Sequence, residues 1–222
     1  MDLLRLLENS DNPLESARKL LAPACMNKLN QYIIDCNDCK TCTNSKKIVA
    51  RGNPDANILI IAGNATNKED VNDFFDELLD YSDINKNDVF IIHSVSCVCT
   101  RNDKGEEVER LSSINESKNC KYFTDYVLQF VRPRIIVAMG ATALNQYLPN
   151  SILKEYIGKI VNFNGIPAII TYSASDLFLL AEYIDEDELQ KLTDNTVEYL
   201  DMAQKYINDK RKGEWVYGII IK

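Results

Sequence analysis

Four short apolar runs, each rich in β-branched residues, are the sequence feature that most limits the fold. Each run is followed by a polar or glycine-containing turn and then by apolar residues at helical spacing. Strands that alternate with helices are typical of βαβ units. The pattern therefore predicts an α/β fold with three αβα layers and a central, mostly parallel four-stranded sheet. The predicted strands cover residues 58–62, 89–92, 135–139 and 168–171.

The helical segments and the chain ends complete the predicted organisation. Helices are predicted at 70–81, 115–131 and 141–148 and over most of 176–212, where an acidic start at 185–188 suits the helix dipole. Residues 1–24 form an amphipathic helical stretch broken at Asn12-Pro13, which either packs on the domain or docks a partner. Residues 215–222 are apolar and have a high β-strand propensity, so they form either an edge strand or a partner-binding tail. We predict a helical extension (1–29), a domain (30–180), and a second helical extension with a tail (181–222).

Charge and hydropathy narrow the classes of function. Acids outnumber bases 33 to 25, which argues against nucleic-acid binding by bulk electrostatics. Lysines and arginines cluster locally within 36–51 and 205–212, where they either contact phosphates or are solvated. No run of 18 apolar residues occurs, and the opening residues carry charges within their apolar stretch. We therefore expect a cytoplasmic protein with no signal peptide and no membrane contact.

The cysteines indicate metal chemistry or catalysis. An odd number of cysteines in a reducing compartment favours either of these over disulfides. The seven cysteines are Cys25, Cys36, Cys39, Cys42, Cys97, Cys99 and Cys120. Three crowd together near residue 40 and three lie far downstream, so the two groups must meet in space to share a metal.

Several short motifs are weak signals singly, but their order along the chain is specific. They are Cys36-x-x-Cys39, 51–56 (RGNPDA), 88–97, Cys120, 131–140 (VRPRIIVAMG), and Gly158-Lys159 ahead of Thr171-Tyr172. In this order and spacing the chain resembles the iron-sulfur uracil-DNA glycosylases, family 4 of the uracil-DNA glycosylase superfamily. The resemblance covers about residues 30–180.

The resemblance implies a 4Fe-4S cluster. Its ligands would be Cys36, Cys39, Cys97 and Cys120, a set of four thiolates that such clusters take. Zinc on the same thiolates, or no metal, are the alternatives, because ligand type alone does not separate the two metals. Cys42 and Cys99 are candidate substitutes for a neighbouring ligand, and Cys25 is interpreted as a small buried hydrophobe. The loop between Cys97 and Cys120 is longer than in the family.

The catalytic positions depart from the family pattern. Asn64 stands where the family has the acid that positions the attacking water, and an amide cannot act as a general base. Ser173 replaces the histidine that stabilises negative charge on the departing uracil, and serine is a neutral, weaker donor. Asp176 places an acid where phosphates would approach. The base pocket implied by the resemblance comprises Gly63, Ala65, His93 and Ser175.

Two further positions leave alternatives open. His93 stands where an asparagine reads the uracil edge, and it either contacts a base or is a hydrogen-bonded histidine at a strand end. The aromatic residue that stacks on uracil is missing from its motif. Phe74 and Phe75 follow that motif, either as core residues or as a stacking surface.

Together these observations predict a uracil-DNA glycosylase-like iron-sulfur protein with lost or strongly reduced base excision. It would act as a DNA-associated or partner-binding subunit, with weak or partner-assisted DNA contact and a protein partner at the N- or C-terminal extension. The alternative is an active DNA glycosylase that hydrolyses the N-glycosidic bond of uracil or another deaminated base in DNA repair. An unrelated iron-sulfur or zinc α/β protein is a third interpretation.

Overall fold

The computed structural model describes residues 13–39 and 45–211. The helices are α1 (Pro13–Asp35), α2 (Glu69–Tyr81), α3 (Ile114–Val131), α4 (Gly140–Tyr147), α5 (Leu153–Tyr156), α6 (Ala174–Leu180) and α7 (Glu186–Arg211). The strands are β1 (Arg51–Gly52), β2 (Ile58–Asn64), β3 (Val89–Val95), β4 (Thr100–Asp103), β5 (Glu106–Glu109), β6 (Ile135–Met139), β7 (Ile160–Phe163) and β8 (Ile166–Thr171). No helix in this part of the chain is long and apolar enough to cross a membrane.

The central sheet is mostly parallel and has the strand order β1-β3-β2-β6-β8-β7. The four predicted strands are its inner members β3, β2, β6 and β8, and they pair in parallel. The predicted strand count of four was too low, because the short strands β1 and β7 add antiparallel edges. The turn Asn164-Gly165, with φ of 51° and 91°, joins β7 to β8. An Asn-Gly pair is a strong hairpin signal.

Helices cover both faces of the sheet, which confirms the three-layer αβα fold. Side chains of β2 alternate between the faces, as the period of a strand requires. Leu59 and Ile61 pack in the core beneath α1, α3 and α4. Ile58 and Ile60 pack in the core beneath α2, α6 and α7.

The terminal helices contribute to these cores. Leu29 and Ile33 of α1 are buried in the first core, and Leu200 and Ile207 of α7 are buried in the second. Helix α1 therefore continues across the predicted boundary at residue 30, and that division of the chain stays a prediction. The described residues begin at Pro13, so the segment before the predicted break at Asn12-Pro13 lies outside them. The tail 215–222 also lies outside the described residues.

The predicted helices at 70–81, 115–131 and 141–148 are confirmed as α2, α3 and α4. Helix α3 begins with a capping box in which Ser113 and Glu116 each bond the backbone of the other. The acidic start of α7 is also confirmed, since the Asp185 carboxylate accepts a bond from the Glu188 backbone N–H at 2.8 Å.

The long segment after Cys97 forms a hairpin rather than a plain loop. Strands β4 and β5 pair antiparallel around a two-residue turn. Lys104 and Gly105 in this turn have φ of 53° and 97°. Two positive φ values are the requirement of a type I′ turn, whose twist matches that of the strands.

Candidate active site and cysteine cluster

The carboxyl ends of the parallel strands surround two adjoining cavities. The inner cavity holds about 220 Å³ and the outer one about 270 Å³. Asn64, Thr66 and Ser175 line both. The predicted site residues meet here: Gly63, Asn64, His93, Ser173 and Ser175 line the inner cavity, and Ala65 lines the outer one. Their catalytic and base-binding roles remain predictions.

The side-chain oxygen of Asn64 is already engaged. It accepts hydrogen bonds from the backbone N–H of Ser112, at 2.8 Å, and from the Ser112 hydroxyl. Ser112 follows the β4–β5 hairpin and is 48 residues away in sequence. Asn64 thus offers the cavity mainly its amide NH₂, which is a donor and cannot take a proton from water.

A carboxylate from the same hairpin lies next to Asn64. Glu109 accepts a 2.6 Å bond from the Thr66 hydroxyl and a 2.9 Å bond from the Asn67 backbone N–H. Glu109 also lines the outer cavity. The hairpin therefore holds the end of β2 through two side chains, Glu109 and Ser112.

Ser173 caps helix α6 and is wedged between two glycines. Its hydroxyl oxygen accepts a 3.1 Å bond from the Asp176 backbone N–H. A Cβ atom on Gly63 would lie 2.8 Å from the Ser173 Cβ. A Cβ on Gly140 would lie 3.1 Å from the Ser173 hydroxyl oxygen, and Gly140 has φ of 86°. The two glycines thus permit a close approach that leaves little room for a side chain larger than serine.

Asp176 is part of the same cap. Its carboxylate accepts a 3.0 Å bond from the Ser173 backbone N–H. Burial raises the pKa of this carboxyl, although the bonds from Ser173 act against the increase. The acid predicted to meet phosphates is therefore turned inward as the capping partner of Ser173.

We expect Asp176→Asn to remove a pH dependence of stability. A carboxyl with a raised pKa in the folded state binds more protons there than in the unfolded chain. The folded protein therefore loses stability as pH rises from the carboxyl's pKa in the unfolded chain to its pKa in the folded state. Asparagine keeps the acceptor for Ser173 and does not titrate. Relative to the wild type, the variant should gain stability as pH rises above about 4, the usual pKa of an aspartate, and the two proteins should differ by less than about 1 kcal/mol at lower pH. Urea unfolding across pH measures this, with exposed Asp194→Asn as control; parallel pH curves for wild type and Asp176→Asn would contradict it.

His93 lies on the wall of the inner cavity in its neutral form. Burial, then the charge of Arg51, lower its pKa to about 4, against an opposing effect of the Gly63 backbone. Its Nδ1 atom is buried without a hydrogen-bond partner among the described residues. An unpaired buried nitrogen costs stability, so a ligand that bonded it would recover that cost.

Arg51, Phe75 and Asp76 form one wall of the inner cavity. The guanidinium lies 5.7 Å from the centre of the Phe75 ring and donates a hydrogen bond to the Asp76 carboxylate. Phe75 is buried in the second core, as the core interpretation predicts, and it also faces the cavity. Phe74 is partly buried against the same core.

The cysteines predicted as ligands lie in one neighbourhood. Cys36 and Cys39 follow α1, Cys97 follows β3, and Cys120 lies on α3. Burial raises the pKa of the Cys120 thiol to about 12, and Cys97, Cys39 and Cys36 add to the increase by their charges. Cys97 also bridges to the Lys47 backbone, which ties the segment after Cys39 to β3.

The donor set of this neighbourhood suits an iron-sulfur cluster, since four thiolates are its usual ligands. In residues 13–39 and 45–211, no three His, Cys, Asp or Glu side chains are gathered closely as a metal-ion site. The described cysteines form no disulfides. Tyr122 braces the first pair of cysteines, donating to the Asp38 carboxylate at 2.9 Å with its hydroxyl 3.4 Å from the Cys36 sulfur. Cys42 lies outside the described residues.

Several site residues have no signal in the sequence. Ser112 bonds Asn64, which is 48 residues away in the sequence, and Glu109 bonds Thr66, which is 43 residues away. Their local sequence does not predict either contact. Arg51 belongs to a recognised motif, but only the pairing of β1 with β3 turns it toward the cavity.

Comparison with known proteins agrees with this geometry. A search of curated proteins finds no match. The family model of the uracil DNA glycosylase superfamily matches residues 49–194, which include the whole parallel sheet and both cavities. The chain therefore belongs to the uracil DNA glycosylase superfamily.

Proposed function

We propose that this chain is a glycosylase-fold protein with lost or strongly reduced base excision, acting as a DNA-associated or partner-binding subunit. The observation that carries the proposal is the Asn64–Ser112 contact. The one side-chain oxygen at the position of the family's acid is neutral and already accepts two hydrogen bonds. Such an oxygen neither removes a proton from water nor is free to hold that water in place.

The stabiliser of the leaving group is altered as well. Ser173 carries no charge, so its hydroxyl is a weaker donor to a departing base than the family's histidine. Loss of one preorganised stabilising group typically costs about 10²- to 10³-fold in rate. Because the water-positioning acid is lost too, we expect excision far below that of an intact site.

We further propose that Cys36, Cys39, Cys97 and Cys120 hold a 4Fe-4S cluster, with zinc as the alternative. These four cysteines would join the segment after α1, the segment after β3 and helix α3 through iron–thiolate bonds to the cluster. The buried positions of Cys97 and Cys120, and the effect of Cys36, Cys39 and Cys97 on the Cys120 thiol, support this.

DNA and a protein partner are the proposed binding partners. Lys46 and Lys47 lie on the extended segment that pairs with the end of β3, and Ile48 of that segment lines the inner cavity. The closeness of this segment to the inner cavity supports contact between part of the predicted basic cluster and backbone phosphates. Leu20 and Leu21 of α1 are 45% and 56% exposed, which supports a protein partner at the N-terminal extension. A reducing, cytoplasmic location is proposed because an odd number of cysteines favours a metal or catalytic role over disulfides.

The second candidate is an active DNA glycosylase, and Glu109 is the observation that favours it. Its carboxylate bonds the segment that follows Asn64 and lines the outer cavity together with Asn64, although it comes from the inserted hairpin. A carboxylate held by two donors retains lone pairs for a water molecule.

A single-turnover excision assay separates the two candidates. The full chain in excess is incubated with single-stranded and duplex oligonucleotides that contain uracil, hypoxanthine or xanthine, followed by alkaline cleavage of abasic sites. We expect salt-dependent DNA binding without strand breaks above background. Breaks that disappear in Asn64→Ala would refute the proposal. Breaks that disappear in Glu109→Gln but persist in Glu107→Gln, on the exposed part of the same hairpin, would establish the second candidate.

A further inference from the structure

We infer that the Ser96 hydroxyl donates a hydrogen bond to a sulfur atom of the cluster held by Cys97 and Cys120, and that this bond raises the reduction potential of the cluster. Ser96 is not one of the predicted ligands. Its role depends on the cluster assigned under the proposed function, and it deepens that function by naming a residue that controls the cluster.

The Ser96 hydroxyl is a buried polar group without a partner. Ser96 is 1% exposed, and its Oγ atom makes no hydrogen bond within the part of the chain that the structure describes. Neighbouring buried hydroxyls are engaged. The Ser94 hydroxyl bonds the Gly63 carbonyl oxygen at 3.0 Å. The Ser117 hydroxyl donates to the Thr142 carbonyl oxygen at 2.7 Å. Because an unpaired buried hydroxyl costs free energy, Ser96 calls for an acceptor that the chain itself does not provide.

Ser96 adjoins two of the predicted ligands. It precedes Cys97 in the chain, and its backbone hydrogen-bonds the sulfur of Cys120. Burial raises the pKa of the Cys120 thiol, and this bond from Ser96 acts against the increase. The Ser96 carbonyl oxygen accepts a 2.8 Å bond from the Ile48 backbone N–H. The backbone of Ser96 is therefore fixed next to the cysteines, while its hydroxyl proton is available to an acceptor there.

The burial of this neighbourhood increases the effect of such a donor. Cys97 and Cys120 are 4% and 6% exposed. A hydrogen bond in a low-dielectric interior is electrostatically stronger than one in water. Hydrogen bonds to the sulfur atoms are among the factors that set the reduction potential of an iron-sulfur cluster. A donor bonds the more negatively charged, reduced cluster more strongly, so the Ser96 hydroxyl would favour reduction.

The Tyr122 hydroxyl is a contrasting group in the same neighbourhood. It lies 3.4 Å from the Cys36 sulfur, but it donates its proton to the Asp38 carboxylate at 2.9 Å. Tyr122 is also 44% exposed, so water competes for bonds at this position. Tyr122→Phe thus removes a hydroxyl beside a predicted ligand without removing an available donor, and it is the matched control for Ser96→Ala.

Anaerobic redox titration of the full, iron-loaded chain tests the role of Ser96. Ser96→Ala should shift the one-electron reduction equilibrium toward the oxidised cluster by about 10-fold, which lowers the midpoint potential by about 59 mV. Tyr122→Phe should change the potential far less. Ser96→Thr keeps a hydroxyl, whereas Ser96→Val has the same shape as threonine without one. We expect a higher potential for Ser96→Thr than for Ser96→Val.

A spectroscopic measurement distinguishes the hydrogen bond from a change in packing. Pulsed EPR of the reduced cluster after exchange into D₂O detects exchangeable deuterons close to the cluster. The wild type should show a coupled deuteron that is absent from Ser96→Ala, because the backbone N–H of residue 96 is present in both proteins and only the hydroxyl differs.

The outcomes separate this role from the proposed cluster. An iron-containing Ser96→Ala protein with the potential and deuteron signals of the wild type would overturn the role and leave the cluster in place, as expected if water satisfies the hydroxyl. If Ser96→Ala does not retain iron, the threonine and valine variants decide, and equal potentials for the two would overturn the role. A wild type that binds no iron would overturn the cluster and the role together.

Discussion

Replacing Cys120 by alanine is expected to abolish binding of the proposed 4Fe-4S cluster and to lower the melting temperature by about 6 to 12 °C. A cluster held by four thiolates joins three segments that are distant in the chain, and it constrains the unfolded state as a covalent cross-link does. Such a cross-link over a long loop contributes about 3 kcal/mol or more. In a chain of this size, each kcal/mol shifts the melting temperature by about 2 to 4 °C.

The measurement is iron and sulfide content with the visible absorbance of the purified protein, followed by thermal melts. Cys25→Ala is the matched control, because Cys25 is the thiol interpreted as a small hydrophobe and is half-buried against the first core. It should keep both colour and metal. A colourless wild-type protein that contains stoichiometric zinc would refute the cluster and support zinc as the bound metal. A Cys120→Ala protein with unchanged iron would refute the ligand set.

Gln146→Leu is expected to lower the free energy of unfolding by about 3 kcal/mol. The Gln146 side chain is 3% exposed, donates to the carbonyl oxygens of Ser94 and Ser117 at 2.8 and 3.1 Å, and accepts from the Thr124 hydroxyl at 3.2 Å. Leucine has a similar volume but no polar atoms. It would remove three buried hydrogen bonds, each at a cost of about 1 kcal/mol.

Urea denaturation measures this loss, and Gln190→Leu is its control. Gln190 lies on the exposed side of α7, where it bonds only Asp194 across one turn. A surface change of this kind should alter stability by less than about 0.5 kcal/mol. Equal stabilities for Gln146→Leu and the wild type would show that the network is not required for folding.

This buried network also bears on the candidate site. The Ser94 hydroxyl lies 3.0 Å from the Gly63 carbonyl and 2.7 Å from the Thr142 hydroxyl. The end of β2 is thus held from the core side by Ser94 and from the outer side by Glu109 and Ser112. These contacts fix the backbone around Gly63 and Asn64 from both sides, so we expect this part of the site to be rigid.

The parallel core could be predicted from local pattern because its strands are buried on both faces. A strand such as 58–62 then reads as a continuous β-branched run, which tertiary contacts do not alter. The edge strands could not be predicted in the same way. Strand β1 has two residues, and its pairing with Ile91 and Phe90 is a long-range contact with no periodicity of its own.

The candidate site also has features that local sequence predicts and features that depend on long-range contacts. Gly63, Asn64, His93, Ser173 and Ser175 could be predicted to meet, because the carboxyl ends of parallel strands share one edge of the sheet. What these residues can do depends on partners that the pattern does not contain. The Ser112 bond to Asn64 and the cap between Ser173 and Asp176 decide which atoms remain free.

The sequence by itself therefore determined the layers of the fold, the edge where a ligand would bind and the cysteines that are candidates for a metal, because these depend on period, burial and residue chemistry. The tertiary structure alone decided that Ser112, just after the inserted hairpin, engages Asn64, that Asp176 turns inward and that Arg51 lines the cavity. Those outcomes depend on contacts between residues far apart in the chain, and hydrogen-bond geometry at such contacts is set only when the whole sheet edge is assembled.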